Sequence, residues 1–214
     1  MKDAVLHNNE GIRLLQEGFH EQALEEFKMA AHIMYTITQQ IKDAKPQLIG
    51  ISESNTACTP SRNPIVTDNL FIRSAPIVMS LPDGQNDSVH CTIESAAVLL
   101  NMALVYHISS QRPNCMKDAR QCAITLYDMA YGLGLRIHED TRSSHIILTA
   151  LNNLGQIYFE IGEYTKSQLY FDDLSTFVTF LGPSGDGTTA ERGRQECLLN
   201  AMVLRNPNTS AAAA

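Results

Sequence analysis

The apolar residues of this chain recur at helical spacing in paired runs, and the pairs repeat. Ile147, Leu151, Leu154, Tyr158 and Ile161 advance by steps of 4 and 3, which puts them on one face of a helix. Gly162 and Glu163 interrupt, and Ser167, Phe171, Leu174, Val178 and Leu181 resume the period until Gly182-Pro183 stops it. Two helices joined by so short a turn must lie antiparallel and pack side by side. The N-terminal stretch has the same design. Gly11, Leu14 and Leu15 precede Gly18, and Ala23, Phe27, Ala30, Met34, Ile37 and Ile41 follow it, in a helix that should run to about Lys45 because Pro46 cannot continue it.

A third pair lies between them, with Leu99, Ala103 and Tyr106 on its first helix and Ala123, Tyr127 and Ala130 on its second. Its break is longer, from Ser109 to about Lys117, and contains Pro113. The segment from about Thr188 to Leu204 opens on Thr188-x-x-Glu191, a capping-box spacing, and reads as a lone C-terminal helix. Residues 46–90 hold five of the eight prolines and no sustained 3.6 period. Within them Phe71, Ile72, Ile77, Val78 and Met79 could form an extended piece, which Pro76 confines to an edge or surface-lying position. This region reads as a long insertion whose apolar part lies back on the helices, at little cost in closure entropy.

Superimposing the pairs shows a fixed internal spacing. Twelve residues separate Gly11 from Ala23 and Gly155 from Ser167, and Gly18 and Gly162 each fall seven residues after the first glycine of their copy. Ala23-x3-Phe27-x2-Ala30 is answered by Ala123, Tyr127 and Ala130 and by Ser167, Phe171 and Leu174. Self-similarity of this kind marks a stacked repeat protein. The pattern resembles the tetratricopeptide repeat family, whose units read W-x2-L-G-x2-Y, then A-x3-F, with a closing proline. Leu154-Gly155, Tyr158, Gly162 and Tyr164 carry the likeness best. It departs at His7, Leu99 and Leu151, where Trp is usual, at Glu10 before Gly11, at Ala103 in place of glycine, and at Ser167 and Leu174 in place of alanine. The resemblance covers about 100 to 110 residues and implies a right-handed stack of hairpins whose first helices line a concave groove for a partner's peptide.

The position two before the glycine of each copy is Asn: Asn9, Asn101 and Asn153, with Asn200 placeable the same way in the last helix. An asparagine amide offers both a donor and an acceptor, so a ladder of them can pair with the backbone of an extended peptide whatever its side chains. The competing reading is that these residues cap or satisfy neighbouring helices. Family members that hold a chaperone's acidic C-terminus use a cationic clamp, and its positions here are Asn8, Ile12, Thr149 and Asn153, with only Asn101 agreeing. Chaperone C-terminal tails are therefore disfavoured as ligands.

Composition narrows the classes further. A net charge of −7, from 16 Lys+Arg against 23 Asp+Glu, lacks the positive field that phosphate backbones or anionic membranes demand, so neither nucleic acid nor membrane is expected as a partner. Five scattered cysteines with no C-x-x-C pair read as reduced thiols, and the mixed N-terminus lacks a signal peptide's apolar run, so a cytoplasmic or nuclear setting is expected. His138-Glu139-Asp140 reads as a solvated loop. Cys115, Cys122 and His107 lack the tight pairing of zinc ligands. Gly182–Gly187 has no Lys and follows a helix, so it is a linker and not a phosphate loop. No metal, cofactor or catalytic residue is expected.

The chain is thus read as all-α, a single domain over residues 1–205. Hairpins are expected at about 2–45, 92–134 and 142–181, with the insertion at 46–90, a capping helix at 188–204 and a disordered tail at 206–214. The expected function is non-catalytic: a scaffold or adaptor that binds an extended peptide in the groove through Asn9, Asn101, Asn153 and Asn200. Two alternatives stand beside it. The insertion could fill the groove and make a self-occluded or oligomerising module, or the chain could be an accessory part of an enzyme.

Overall fold

The computed structural model of the chain describes residues 1–44, 76–79, 88–112, 118–137, 141–181 and 189–204. Seven helices and no strand occur among them: α1 Lys2–Gln16, α2 His20–Ala44, α3 Ser88–Ser110, α4 Ala119–Leu135, α5 Thr141–Glu160, α6 Tyr164–Leu181 and α7 Thr189–Leu204. The protein is all-α over the described residues. Phe71, Ile72, Cys58, Cys115, Pro113, the His138–Asp140 triplet, Gly182–Gly187, Thr188 and the tail from 206 lie outside them.

Both short turns are built alike. Gly18 and Gly162 have φ of +84° and +81°, a left-handed backbone that favours glycine. In each, the glycine N–H donates to a carbonyl three residues back, Gly18 to Leu15 and Gly162 to Phe159, and the next N–H donates five back, Phe19 to Leu14 and Glu163 to Tyr158. This Schellman arrangement satisfies the last carbonyls of α1 and α5 and starts the next helix at once.

The paired helices then meet at a glycine. A Cβ on Gly11 would stand 2.7 Å from the Phe27 ring, and one on Gly155 would stand 2.8 Å from the Phe171 ring. Glycine inside a helix costs about 1 kcal/mol, but fully burying an aromatic ring contributes roughly 1.5–3 kcal/mol. Phe27, Phe171 and their counterpart Tyr127 are all fully buried, so the packing term wins. Ser167, which stands where the repeat pattern has alanine, donates its hydroxyl to the Gly155 carbonyl at 2.8 Å and ties α6 to α5.

Each helix packs on the next in sequence. In addition α1 touches α3, α3 touches α5 and α5 touches α7. The apolar interior is continuous along this row. One cluster joins α3, α4 and α5 around Leu100, Tyr127 and Leu154, and a second joins α5, α6 and α7 around Leu151, Phe171 and Cys197. α3 is long and apolar enough by length and composition to cross a membrane, yet 67% of that window is buried in the protein, as in a core helix.

The glycine account makes a paired prediction. Gly155→Ala should destabilise by roughly 1–3 kcal/mol, because its methyl overpacks the Phe171 ring. Gly132, a helical glycine on α4 with open space around it, should become more stable by roughly 0.5–1 kcal/mol as Ala. Chemical denaturation of the two variants checks both signs, and a stabilised Gly155→Ala would contradict the packing.

Candidate functional site

The described part of the insertion, Pro76–Met79, lies across α1 and α3 and is held there by asparagines. Asn101 on α3 accepts the Ile77 N–H on Oδ1 at 2.8 Å and donates Nδ2 to the Ile77 carbonyl at 2.9 Å. Asn9 on α1 does the same to Met79 at longer range, 3.3 Å for the N–H and 3.4 Å for the carbonyl. Each side-chain amide therefore pairs with both backbone groups of one residue, as a residue of a neighbouring strand would. Ile77 and Met79 are two apart and present their polar groups to one side, which is the behaviour of an extended chain.

A third asparagine orients the other two. Asn8, fully buried, accepts the second Asn101 N–H at 2.9 Å, and its own Nδ2 lies 3.3 Å from both the Ile77 carbonyl and Asn9 Oδ1. An asparagine has two donors and an acceptor with two lone pairs, so this mesh leaves the Asn101 amide a single sensible orientation. The segment's side chains alternate accordingly. Met79 is 2% exposed among Ala4, Val5, Ala30, Met34, Cys91 and Val98, Ile77 is half-buried against the α3–α5 cluster, and Val78 is 61% exposed.

Asn153 and Asn200 enter a second network along the same row of helices. Asn200 Nδ2 donates to Asn152 Oδ1 at 2.8 Å, Asn152 Nδ2 to Asn153 Oδ1 at 3.0 Å, and Asn153 Nδ2 to the Tyr127 hydroxyl at 3.0 Å. Behind Tyr127 lies buried His107, whose Nδ1 is 3.5 Å from that hydroxyl. His107 Nε2 stands 3.8 Å from the Glu160 carboxylate, beyond hydrogen-bonding distance. Burial pushes the Tyr127 hydroxyl well above its ordinary value, so it remains a neutral partner for the amide. Burial acts on Glu160 in the raising sense too, but the His107 contact, the Gln156 amide at 2.9 Å and the Arg120 charge together hold its carboxyl below the usual range.

The four asparagines picked out by repeat position thus occupy two places. Asn9 and Asn101 grip the Pro76–Met79 segment, and Asn153 and Asn200 are joined through Asn152. Asn8 and Asn152 each stand one residue before a ladder position and carry the cross-links. No group of three His, Cys, Asp or Glu placed to hold a metal ion occurs among the described residues. No family model matches this chain, and no curated protein or solved structure matches it.

Glu160 gives a pH prediction. A carboxyl whose folded value is lowered stabilises the fold above its unfolded value, near 4.5, and loses that contribution as pH falls through the folded value. The melting temperature of Glu160→Gln should therefore lie below that of the parent chain at pH 7 and converge with it as pH falls below 4.5 and through the folded value. A gap that does not change between pH 7 and pH 3 would contradict the assignment.

Proposed function

We propose that this chain is a non-catalytic protein-interaction module resembling the tetratricopeptide repeat family. In this reading α1–α2, α3–α4 and α5–α6 are three antiparallel hairpins in a right-handed stack, and α7 covers the end of the last. The identical Schellman turns and the repeated glycine–phenylalanine contact support it. So does the spacing of the helices, because the backbones of α1, α3, α5 and α7 approach one another through the row, whereas α4 and α6 stand farther apart and meet through side chains, the Tyr170 hydroxyl donating to Asp128 at 3.1 Å. A row of helices more closely spaced along one side describes a curve, with α1, α3, α5 and α7 on the inner side.

One observation carries the functional reading. The inner helices present side-chain amides that pair with both backbone groups of an extended segment, at Ile77 and at Met79. A surface that recognises backbone in this way adds a strand-like ligand and leaves specificity to alternate side-chain sites. The same observation favours a second element of the reading, that the surface is self-occluded, since its occupant is the chain's own insertion. A cytoplasmic or nuclear adaptor fits Cys91, Cys122 and Cys197, which form no disulfide among the described residues.

The test is selection of linear peptides from a random display library on the full chain carrying Met79→Asp, a charge at a site lined by apolar groups. Neutral peptides should be selected, and adding Asn101→Ala should weaken their binding at least about tenfold, the loss of two hydrogen bonds to the ligand backbone. Circular dichroism should show the helix content retained. A failure to select any peptide, or selected peptides indifferent to Asn101→Ala, would contradict the reading.

A further inference from the structure

The segment that occupies the asparagine surface is held by features that any chain of similar pattern could supply. Its five hydrogen bonds to Asn8, Asn9 and Asn101 all involve backbone atoms of Ile77 and Met79, and none involves a side chain of the segment. Selectivity rests on two apolar positions. Met79 fills a site made of small and flexible residues, Ala4, Ala30, Val5 and Met34, which can repack around another aliphatic side chain. Ile77 leans on the neighbouring cluster, while the intervening Val78 points to solvent and is not read. Pro76 has no N–H that would need a partner.

From this we propose that Ile77–Met79 is a built-in copy of the ligand motif. A partner protein supplies an extended segment with aliphatic side chains two residues apart, uncharged at both, which takes the same backbone hydrogen bonds by displacing the chain's own segment. The proposal deepens the reading above and rests on it. The middle position is free to vary. Charge is disfavoured at the Met79 anchor because that side chain is 2% exposed within an apolar cluster, where a charge would lose its hydration.

Tethering sets the terms of exchange. Residues 80–87 join Met79 to α3 at Ser88, and a linker that short gives an effective concentration on the order of 1 mM. A free peptide of about 100 µM intrinsic Kd is then outcompeted by about tenfold in the parent chain, so only a longer or better-fitting partner engages the closed form.

The experiment uses the full chain and the acetylated, amidated peptide Ser-Ala-Pro-Ile-Val-Met-Ser, the sequence of residues 74–80, labelled for fluorescence anisotropy. The peptide should bind the Met79→Asp chain, at least about tenfold tighter than it binds the parent chain. Placing Asp at the methionine of the peptide, or Asn101→Ala in the Met79→Asp chain, should abolish binding. Ile77→Asp serves as a second emptied chain, with helix content checked by circular dichroism for each. Equal binding to the parent and emptied chains would overturn the exchange, and binding of library-selected peptides without the aliphatic-x-aliphatic pattern would overturn the motif, both leaving the backbone-binding reading intact. If neither emptied chain binds any peptide while both remain helical, the reading and the inference fall together.

Discussion

An extended segment that crosses a helical surface meets no free backbone to pair with, since helices use their own N–H and C=O groups internally. Its polar groups must be satisfied by side chains or water, and a buried backbone group left unpaired costs about as much as the hydrogen bond it lacks. The carboxamide of asparagine is the side chain whose donor and acceptor sit at the spacing of a peptide unit. Asn101 and Asn9 use that property on Ile77 and Met79, and Asn8 holds the Asn101 amide in the required orientation. The burial of Met79 depends on this arrangement, because its side chain could not enter the α1–α3 cluster with its own backbone unpaired.

Close approach between paired helices places those amides. Gly11 and Gly155 let an aromatic ring from the second helix lie against the backbone of the first. That contact sets the rotation of α1 and α5 about their axes, and two residues earlier on each helix stands an asparagine, Asn9 and Asn153. In the middle pair Ala103 takes the glycine position and Tyr127 the ring position. The extra hydroxyl is not idle, since it accepts the Asn153 amide from the next helix and lies against His107. The packing and the polar networks are thus coupled at Tyr127, where one side chain fills the gap between helices and completes a hydrogen-bond chain toward Asn200.

Much of this was legible because it follows from period and spacing. The steps of 4 and 3 fall within α5 and α6, with the break at Gly162-Glu163 between them, and the shared place of Asn9, Asn101 and Asn153 singles out a repeated polar position on α1, α3 and α5. Less legible was what depends on a neighbour one residue away. Asn8 and Asn152 share a place three residues before the glycine of their copies, but the middle copy has Leu100 there, so the position does not recur through all three copies as Asn9, Asn101 and Asn153 do. α3 begins at Ser88, several residues before the apolar period becomes evident, because its first turn packs through Cys91 and not through a long apolar stripe. Ile77 and Met79 were expected in an apolar stretch lying back on the helices or, in the alternative reading, filling the groove, but without the asparagines that pair with them. Recognition through backbone leaves no mark on the identity of the side chains recognised, so the pairing of Asn101 with Ile77 becomes visible only in three dimensions.

The central claim is that asparagine side chains hold an extended backbone at alternate residues, and amide hydrogen exchange followed by NMR tests it residue by residue. The Ile77 and Met79 amides should exchange at least about tenfold more slowly than that of Val78, which lies between them and has no place in the mesh, as expected for groups opened at a cost of 1.4 kcal/mol or more. In Asn101→Ala the protection of Ile77 should be lost. Three amides exchanging at one rate, or protection of Ile77 that survives Asn101→Ala, would contradict the account.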